Sequence, residues 1–581
     1  MVELVKLRGY LSPTLVLLAF DWPTGGTRND FLGFAIRRTP PSDGEKNPEE
    51  IDGKKWSWLP NRLSFEGPGT PGQDFSSKAA PIQKFMWWDA RYKAEEAGVS
   101  VVNYTVIPVT GTPTNLHLED ASATSLEIGL PPHKFNSVGT WFNRAVVSSQ
   151  SFSGRVEWLK KKNANGKLTD EDKISLRKWL SNGLGEAVGE FINASPEGVV
   201  GAAYHMDDQI WVLPALLGRN KKTELVIDWK KVTDKDTGVV SINNEALEKI
   251  LSKNKKIKLK HRTRGKIMHN KFLVQLDGND LPTTVMCGSA NFTTGGLTSQ
   301  ANLVHTFESA QLAQQYAERV ELLTSDPTMG KAGKSAKWSS PVTVGDVGVR
   351  VFFSPEKKGE RLSIDEVVTA IHKARSSVVF CLFTPTDDDL RNACFAVGDA
   401  GKMMFGLVNR VSKPADGADE SHADIRAAVA LYHRSRTNKD VYGKAWYSNP
   451  PKGFFAEKEL FPGDKYPGFP PVLIHHKFIV IDGETSSPVI YSGSANMSNA
   501  SLYNNDENLL ELRNSTRLAQ TYLAEFFRLY EHYRARALHE RAEQEGTLNT
   551  LKLRANSEWA KYDFVPGDPK YRSRQAMTRD P

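Results

Sequence analysis

The chain has 581 residues, too many for one ordinary core, so at about 150 residues per domain three or four lobes are expected. A hydrophobic fraction of 39% and a charged fraction of 25% are those of a soluble globular protein, and they exclude disordered and fibrous classes. The net charge of +7 is a mild bias toward anionic partners, and three cysteines, Cys287, Cys381 and Cys394, at spacings unlike a zinc site argue for buried small apolar residues rather than a disulfide framework.

The longest early apolar run, residues 15–20, ends at Asp21. A membrane span needs about 20 apolar residues and a signal-peptide core at least about 7. The expectation is therefore no transmembrane or targeting segment, and a cytoplasmic protein or one exported without a recognisable signal. Residues 1–112 are rich in Pro, Gly and Trp, with short alternating runs at 31–36 and 101–107 separated by turn clusters. This pattern predicts an N-terminal β-sandwich, loosely similar to a fibronectin type III or immunoglobulin-like module, whose partner the sequence does not name. Residues 109–114 read as a linker.

From about residue 115, strand-like and helix-like segments alternate, which predicts an α/β architecture with a first lobe over 115–330 and a second over 345–545. A Gly/Lys/Ser stretch at 329–339 separates them. In the second lobe, Ser363 and Glu366 have capping-box spacing, and Ile364, Val367, Val368 and Ile371 follow at helical intervals. Residues 377–383 read as a buried strand. Residues 546–581 are polar and basic and read as a partly ordered tail.

An internal repeat carries the chemistry. One copy has His269, Lys271 and Asp277, then Gly288-Ser289-Ala290-Asn291; the other has His475, Lys477 and Asp482, then Gly493-Ser494-Ala495-Asn496. In both, the aspartate lies 12 residues before the serine of the GSAN turn. The first copy holds one extra residue between its lysine and aspartate, which a β-bulge within 272–276 would absorb, leaving the role of Asp277 open. On a strand, His and Lys two apart point to the same face, so one imidazole and one ammonium can meet one phosphate. Two such strands supply two histidines and two lysines, and the turns add Ser289, Asn291, Ser494 and Asn496 to neutralise developing charge. One neutral histidine can attack phosphorus, and the other, protonated, can donate to the leaving alcohol and later activate water. No metal or cofactor is needed by this set.

These residues resemble the HxKxxxxD…GSxN signature of the phospholipase D superfamily, over about 115–545. The resemblance implies two pseudo-twofold-related lobes, each a mixed sheet flanked by helices, sharing one active site. It implies metal-independent phosphodiester cleavage through a phosphohistidine. It also implies an acid 11 residues after each GSxN asparagine, which orients a histidine; these positions are Glu507 and Asn302. Glu507 is expected to serve His475 as the general acid, and Asn302 to serve His269 as the nucleophile.

Other stretches bear on substrate. Residues 253–266 hold Lys253, Lys255, Lys256, Lys258, Lys260, Arg262, Arg264 and Lys266 with no acid, and run into the first motif. They are a solvated face or a guide for a polyanion or lipid surface, with Arg264 and Lys266 nearest the site. Phe454, Phe455, Phe461, Tyr466 and Phe469 precede the second motif in a Pro/Gly-rich segment that plugs a gap, dips into a lipid interface or stacks bases. His205, Asp207 and Asp208 suggest either a metal site or, more simply, a strand end and loop. His476 should point away from the site. The expected function is hydrolysis of phospholipid headgroup phosphodiesters, with transfer to other alcohols. A nuclease, favoured by the GSANFT and GSANMS turns, is the alternative, and a scaffold protein that retains the site is the third reading.

Overall fold

The structure is a computed structural model that describes residues 2–41, 48–69, 73–90, 101–146, 149–233, 238, 240–411, 427–433, 443–446 and 473–580. The aromatic segment with Phe454, Phe455, Phe461, Tyr466 and Phe469 lies outside the described residues.

Two mixed sheets form the α/β lobes. In the first, the strands run Lys134–Phe135, Val138–Phe142, Leu303–Glu308, Pro282–Gly288, Lys271–Leu276, Gly198–Ala203, Lys222–Asp228 and Ile257–Arg262 across the sheet. In the second, Val342–Val344, Val347–Ser354, Asn505–Arg513, Val489–Gly493, Lys477–Ile481, Ser377–Phe383, Met403–Val411, Ala427–His433 and Gly443–Trp446 follow in order. The central strands correspond one to one. The histidine strands, Lys271–Leu276 and Lys477–Ile481, are central in both and fully apolar apart from Lys271, Gln275 and Lys477, as strands covered on both faces must be. The lobes differ at one edge: Ile257–Arg262 joins its neighbour in parallel, whereas Ala427–His433 joins antiparallel.

Two helices, Ala310–Thr324 and Thr516–Gln544, follow the last core strand of each lobe, pack on their own sheet and reach the other lobe through a tyrosine. Tyr316 on the first accepts from the Asn508 amide at 3.0 Å, and Tyr522 on the second meets His305 Nε2 at 2.7 Å. One apolar cluster therefore holds Phe272, Tyr316, Phe478 and Tyr522 together.

Several sequence expectations are corrected. The supposed linker at 109–114 is the end of strand Val101–Thr112 and the two-residue turn into Asn115–Leu118, and Thr124–Gly129 adds to the same sheet, so the N-terminal β-rich region runs to about residue 129. The helix expected from the Ser363 capping box is Leu362–His372, and its N-terminus is capped instead by Glu356, whose carboxylate accepts from the Leu362 and Ser363 N–H groups at 2.5 and 3.1 Å. Glu366 turns away to Arg350, at 2.9 Å.

The C-terminal residues are not a loose tail. Trp559 donates to the Phe31 carbonyl at 2.9 Å and stacks on Phe85, Arg574 pairs with buried Asp21, and Tyr10 donates to the Met577 carbonyl at 2.8 Å. The N-terminal strands in turn lie on the long helix: Thr521 donates to the Leu11 carbonyl, and Ser12 to Glu525. Tyr10, Leu15 and Leu17 share the central apolar cluster with Phe478. Deleting residues 1–112 should therefore strip cover from the second lobe and leave an aggregating product. Soluble expression with gel filtration of the 113–581 chain checks this; a monodisperse, cooperatively unfolding product would contradict it.

Candidate active site

Each histidine is placed by the opposite lobe. Residues 267–268 pair in parallel with Asn505 and Asp506, and the His269 N–H donates to the Asp506 carbonyl at 2.8 Å. In the other half Ala301 bridges Ile474 in parallel, and the His475 N–H donates to the Ala301 carbonyl at 3.0 Å. The two segments that begin the histidine strands thus add to the far sheet, which brings both imidazoles to the seam.

This exchange reverses the expected orienting pairs. Glu507 Oε2 lies 3.3 Å from His269 Nδ1, and Asn302 Oδ1 lies 2.9 Å from His475 Nδ1. The residue after each bridged position faces the histidine of the other half, so spacing within one half misassigned both. Glu507 Oε1 also accepts from Ser501 and the Asn505 amide at 3.0 and 2.8 Å. Asn302 is held through its N–H by Asn143 Oδ1 at 2.9 Å and through its amide by the Gly296 carbonyl, also at 2.9 Å.

The lysines curl back to the start of their own strands. Lys271 Nζ donates to the His269 carbonyl at 2.7 Å, and Lys477 Nζ to that of His475 at 2.6 Å. All four side chains are buried. Burial, then the two lysine charges, holds both imidazoles well below the usual histidine range. Each lysine depresses both histidines, which places the two halves at one electrostatic centre. Burial pushes both ammonium groups down and the Glu507 carboxyl up; the Glu507 charge partly offsets the effect on the lysines. A bound phosphodiester anion would supply what the two ammonium groups lack.

The GSAN turns divide their labour. A Cβ at Gly288 would collide with the Leu303 carbonyl, and one at Gly493, where φ is +141°, with that of Asn508, so only glycine lets the turn approach the next strand. Ser289 donates to Asn302 Oδ1 at 2.8 Å and accepts from the Leu303 N–H, and Ser494 accepts from the Asn508 N–H at 3.0 Å. Both hydroxyls are fully buried in these bonds, so the serines hold the turns and the orienting strand rather than reach for phosphate, contrary to expectation. Asn291 and Asn496 each keep a buried side-chain oxygen without a protein partner; toward an anion only their Nδ2 N–H groups can act, as donors.

The aspartates also part ways. Asp482 accepts from the N–H groups of Arg375, Ser376 and Ser377, clamping the strand Ser377–Phe383. Asp277 serves only its own turn, accepting from Asn279 and Leu281. The bulge expected within 272–276 does not form: between Gln275 and Leu276 it is the partner strand that carries an unpaired residue, Thr283, while 271–276 pair without a break with Gly198–Ala203. Asp208 accepts from three N–H groups at 210–212 and from Thr294, so it caps a helix start and is not available to a metal. His476 lies among Phe142 and Phe478, in the core.

Of the basic run, Arg262 is fully buried and bonds Asp506 and Asp326, each at 2.8 Å, while Arg319 also reaches Asp506, at 3.0 Å. Lys258 and Lys260 are exposed on an edge strand, where lysine also discourages edge-to-edge pairing. Arg264 and Lys266 are exposed, and Arg264 lies 3.8 Å from Asp326. Sequence reasoning missed Asp506, Arg319, Tyr204 and Phe383. The signal for the first was present: residues 505–508, Asn-Asp-Glu-Asn, are four polar residues in a strand buried from Asn505 through Leu512.

Among the described residues no helix is long and apolar enough to cross a membrane. The family model described as "Cardiolipin synthase, PLD-like domain" matches residues 190–323 and 367–530, together just over half of the chain. No curated protein matches the sequence. Among solved structures, phosphatidylserine synthase from Haemophilus influenzae is 13% identical with a TM-score of 0.40, covering 64% of this chain and 93% of its own. Polyphosphate kinase from Porphyromonas gingivalis is 12% identical with a TM-score of 0.34, covering 58% of this chain; this chain spans only 46% of that protein. Yeast tyrosyl-DNA phosphodiesterase is 12% identical with a TM-score of 0.30, covering 56% of this chain and 86% of its own.

Proposed function

The chain belongs to the phospholipase D-like family, and from that membership we propose that it cleaves phosphodiesters in two steps, through a phosphohistidine on His269. The convergence of two histidine–lysine pairs with crossed orienting groups carries this reading. Lys271, Lys477 and the amides of Asn291 and Asn496 hold the phosphate oxygens. Nε2 of His269 attacks phosphorus. As the P–N bond forms, the ring gains positive charge while keeping its proton on Nδ1, and the Glu507 carboxylate 3.3 Å away stabilises that charge. His475 donates its Nε2 proton to the leaving oxygen. Asn302, a neutral acceptor, fixes the ring without lowering its acidity. In the second step His475 takes the proton of the entering water or alcohol, and the P–N electron pair returns to His269. The roles of the two histidines stay as the sequence suggested, but for the opposite pairing.

The substrate class we propose is a phospholipid, with headgroup release to water or transfer to an alcohol. The family model's description as a cardiolipin synthase supports it. The exposed lysines at 253–260 favour nucleic acid as the second reading. Phosphatidylcholine and phosphatidylglycerol vesicles, single- and double-stranded DNA, and RNA, each assayed across a salt series, test the choice. Vesicle turnover with little salt dependence is expected. DNA or RNA cleavage that falls steeply with salt, without vesicle turnover, would replace the lipid reading by a nuclease.

Productive enzyme needs His269 neutral and His475 protonated. Both proton affinities are depressed by burial and the lysines, so the His475 proton is the scarce one at neutral pH. The pH profile of kcat/KM should thus fall toward alkaline pH from an optimum below about 6.5, the ordinary histidine value. A profile rising from pH 6 to 9 would contradict this assignment of protons.

A further inference from the structure

The halves of the site differ at one pair of equivalent positions. Strands Gly198–Ala203 and Ser377–Phe383 each run antiparallel to a histidine strand, with Ala203 opposite Lys271 and Leu382 opposite Lys477. The next N–H in each, of Tyr204 and of Phe383, donates to the residue between His and Lys, at 3.0 and 2.9 Å. The Tyr204 ring lies 5.3 Å from the His269 ring and 5.5 Å from Lys271 Nζ. The Phe383 ring lies 5.2 Å from the His475 ring and 5.1 Å from Lys477 Nζ. Both are half-buried. One structural position thus carries a phenol beside His269 and an unsubstituted ring beside His475.

The corners that follow differ too. His205 is half-buried, its ring 3.9 Å from that of Tyr204. Thr384 is exposed with φ of +49°, a left-handed conformation that a β-branched residue adopts only where its surroundings impose it.

Displacement at phosphorus runs roughly in line. With His269 as nucleophile, which rests on the function proposed above, the leaving oxygen lies on the His475 side, beside Phe383. The second-step acceptor enters by the same side. We propose that Phe383 walls a leaving-group and acceptor subsite that favours an alcohol with an apolar carbon body over water. The Phe383 ring offers water no hydrogen-bond partner, and it buries the carbon chain of an alcohol. The acceptor oxygen bonds phosphorus, its proton passes to His475 Nε2, and the P–N bond breaks with its electron pair returning to His269.

The test uses the full chain, bis-p-nitrophenyl phosphate and 1-butanol, measuring nitrophenolate release and the ratio of butyl ester to hydrolysed product. Phe383→Ser should lower that ratio roughly 10-fold, the scale on which an apolar contact discriminates. Phe383→Tyr, which keeps the ring, should lower it less, and Tyr204→Phe should leave it unchanged. Continued release with the ratio unchanged in both Phe383 variants, or a shift caused by Tyr204→Phe instead, would overturn the subsite. Absence of release by the wild type on every diester would overturn the phosphodiesterase reading itself, and the subsite with it.

Discussion

His269→Ala should reduce turnover of any phosphodiester on the order of 10⁴-fold or more, because the imidazole that remains, His475, cannot serve at once as nucleophile and as acid for the leaving group. His475→Ala should cost about 10² to 10⁴-fold on a substrate with an alkoxide leaving group, the range for loss of a positioned general acid. On a nitrophenyl ester the first step of His475→Ala should survive, since nitrophenolate leaves without a proton. The two variants thus separate by leaving group. Rates for alkyl and nitrophenyl diesters in both variants check this. Near-normal turnover by either variant on an alkyl diester would remove the two-histidine mechanism.

Asp506→Ala should destabilise the fold by about 3–5 kcal/mol, the usual consequence of removing one partner from a buried ion pair. Arg262 and Arg319, both buried, would be left facing the space where their shared carboxylate stood. The same strand carries Glu507 and receives the His269 N–H, so activity should fall with stability. By contrast, Glu245→Ala, which removes an exposed partner of Lys249, should leave the denaturation midpoint almost unmoved. Urea unfolding of both variants checks this, and an unshifted Asp506→Ala midpoint would contradict it.

The lobes and the chemistry were legible in the sequence because they rest on local signals. A duplicated His-x-Lys with a glycine turn at fixed distance names its strands and their faces. The apolar run at 377–383 coincides with the strand Ser377–Phe383. What failed were relations between distant segments. Glu507 and Asn302 were assigned to the histidines of their own halves, and the parallel pairing of 267–268 with Asn505 and Asp506, with the Ala301–Ile474 bridge in the other half, carries each to the other. Ser289 and Ser494 looked like phosphate ligands until the strands beside them, beginning at Leu303 and Asn505, were in place. Arg262 read as one of eight surface cations because a basic run hides the one member whose partners lie 64 and 244 residues away. The C-terminal residues looked loose because Trp559 and Arg574 find their partners only in the N-terminal strands.

The central claim is a covalent phosphoryl group on His269, and burst kinetics with peptide mapping test it most directly. His475→Ala, mixed rapidly with bis-p-nitrophenyl phosphate, should release nitrophenolate in a fast burst of about one equivalent per site and then nearly stop, because nothing remains to activate water. Alkaline quenching and digestion should place the phosphoryl group on the peptide that contains His269. No burst, or a phosphoryl group recovered on His475 in the His269→Ala protein, would contradict the account.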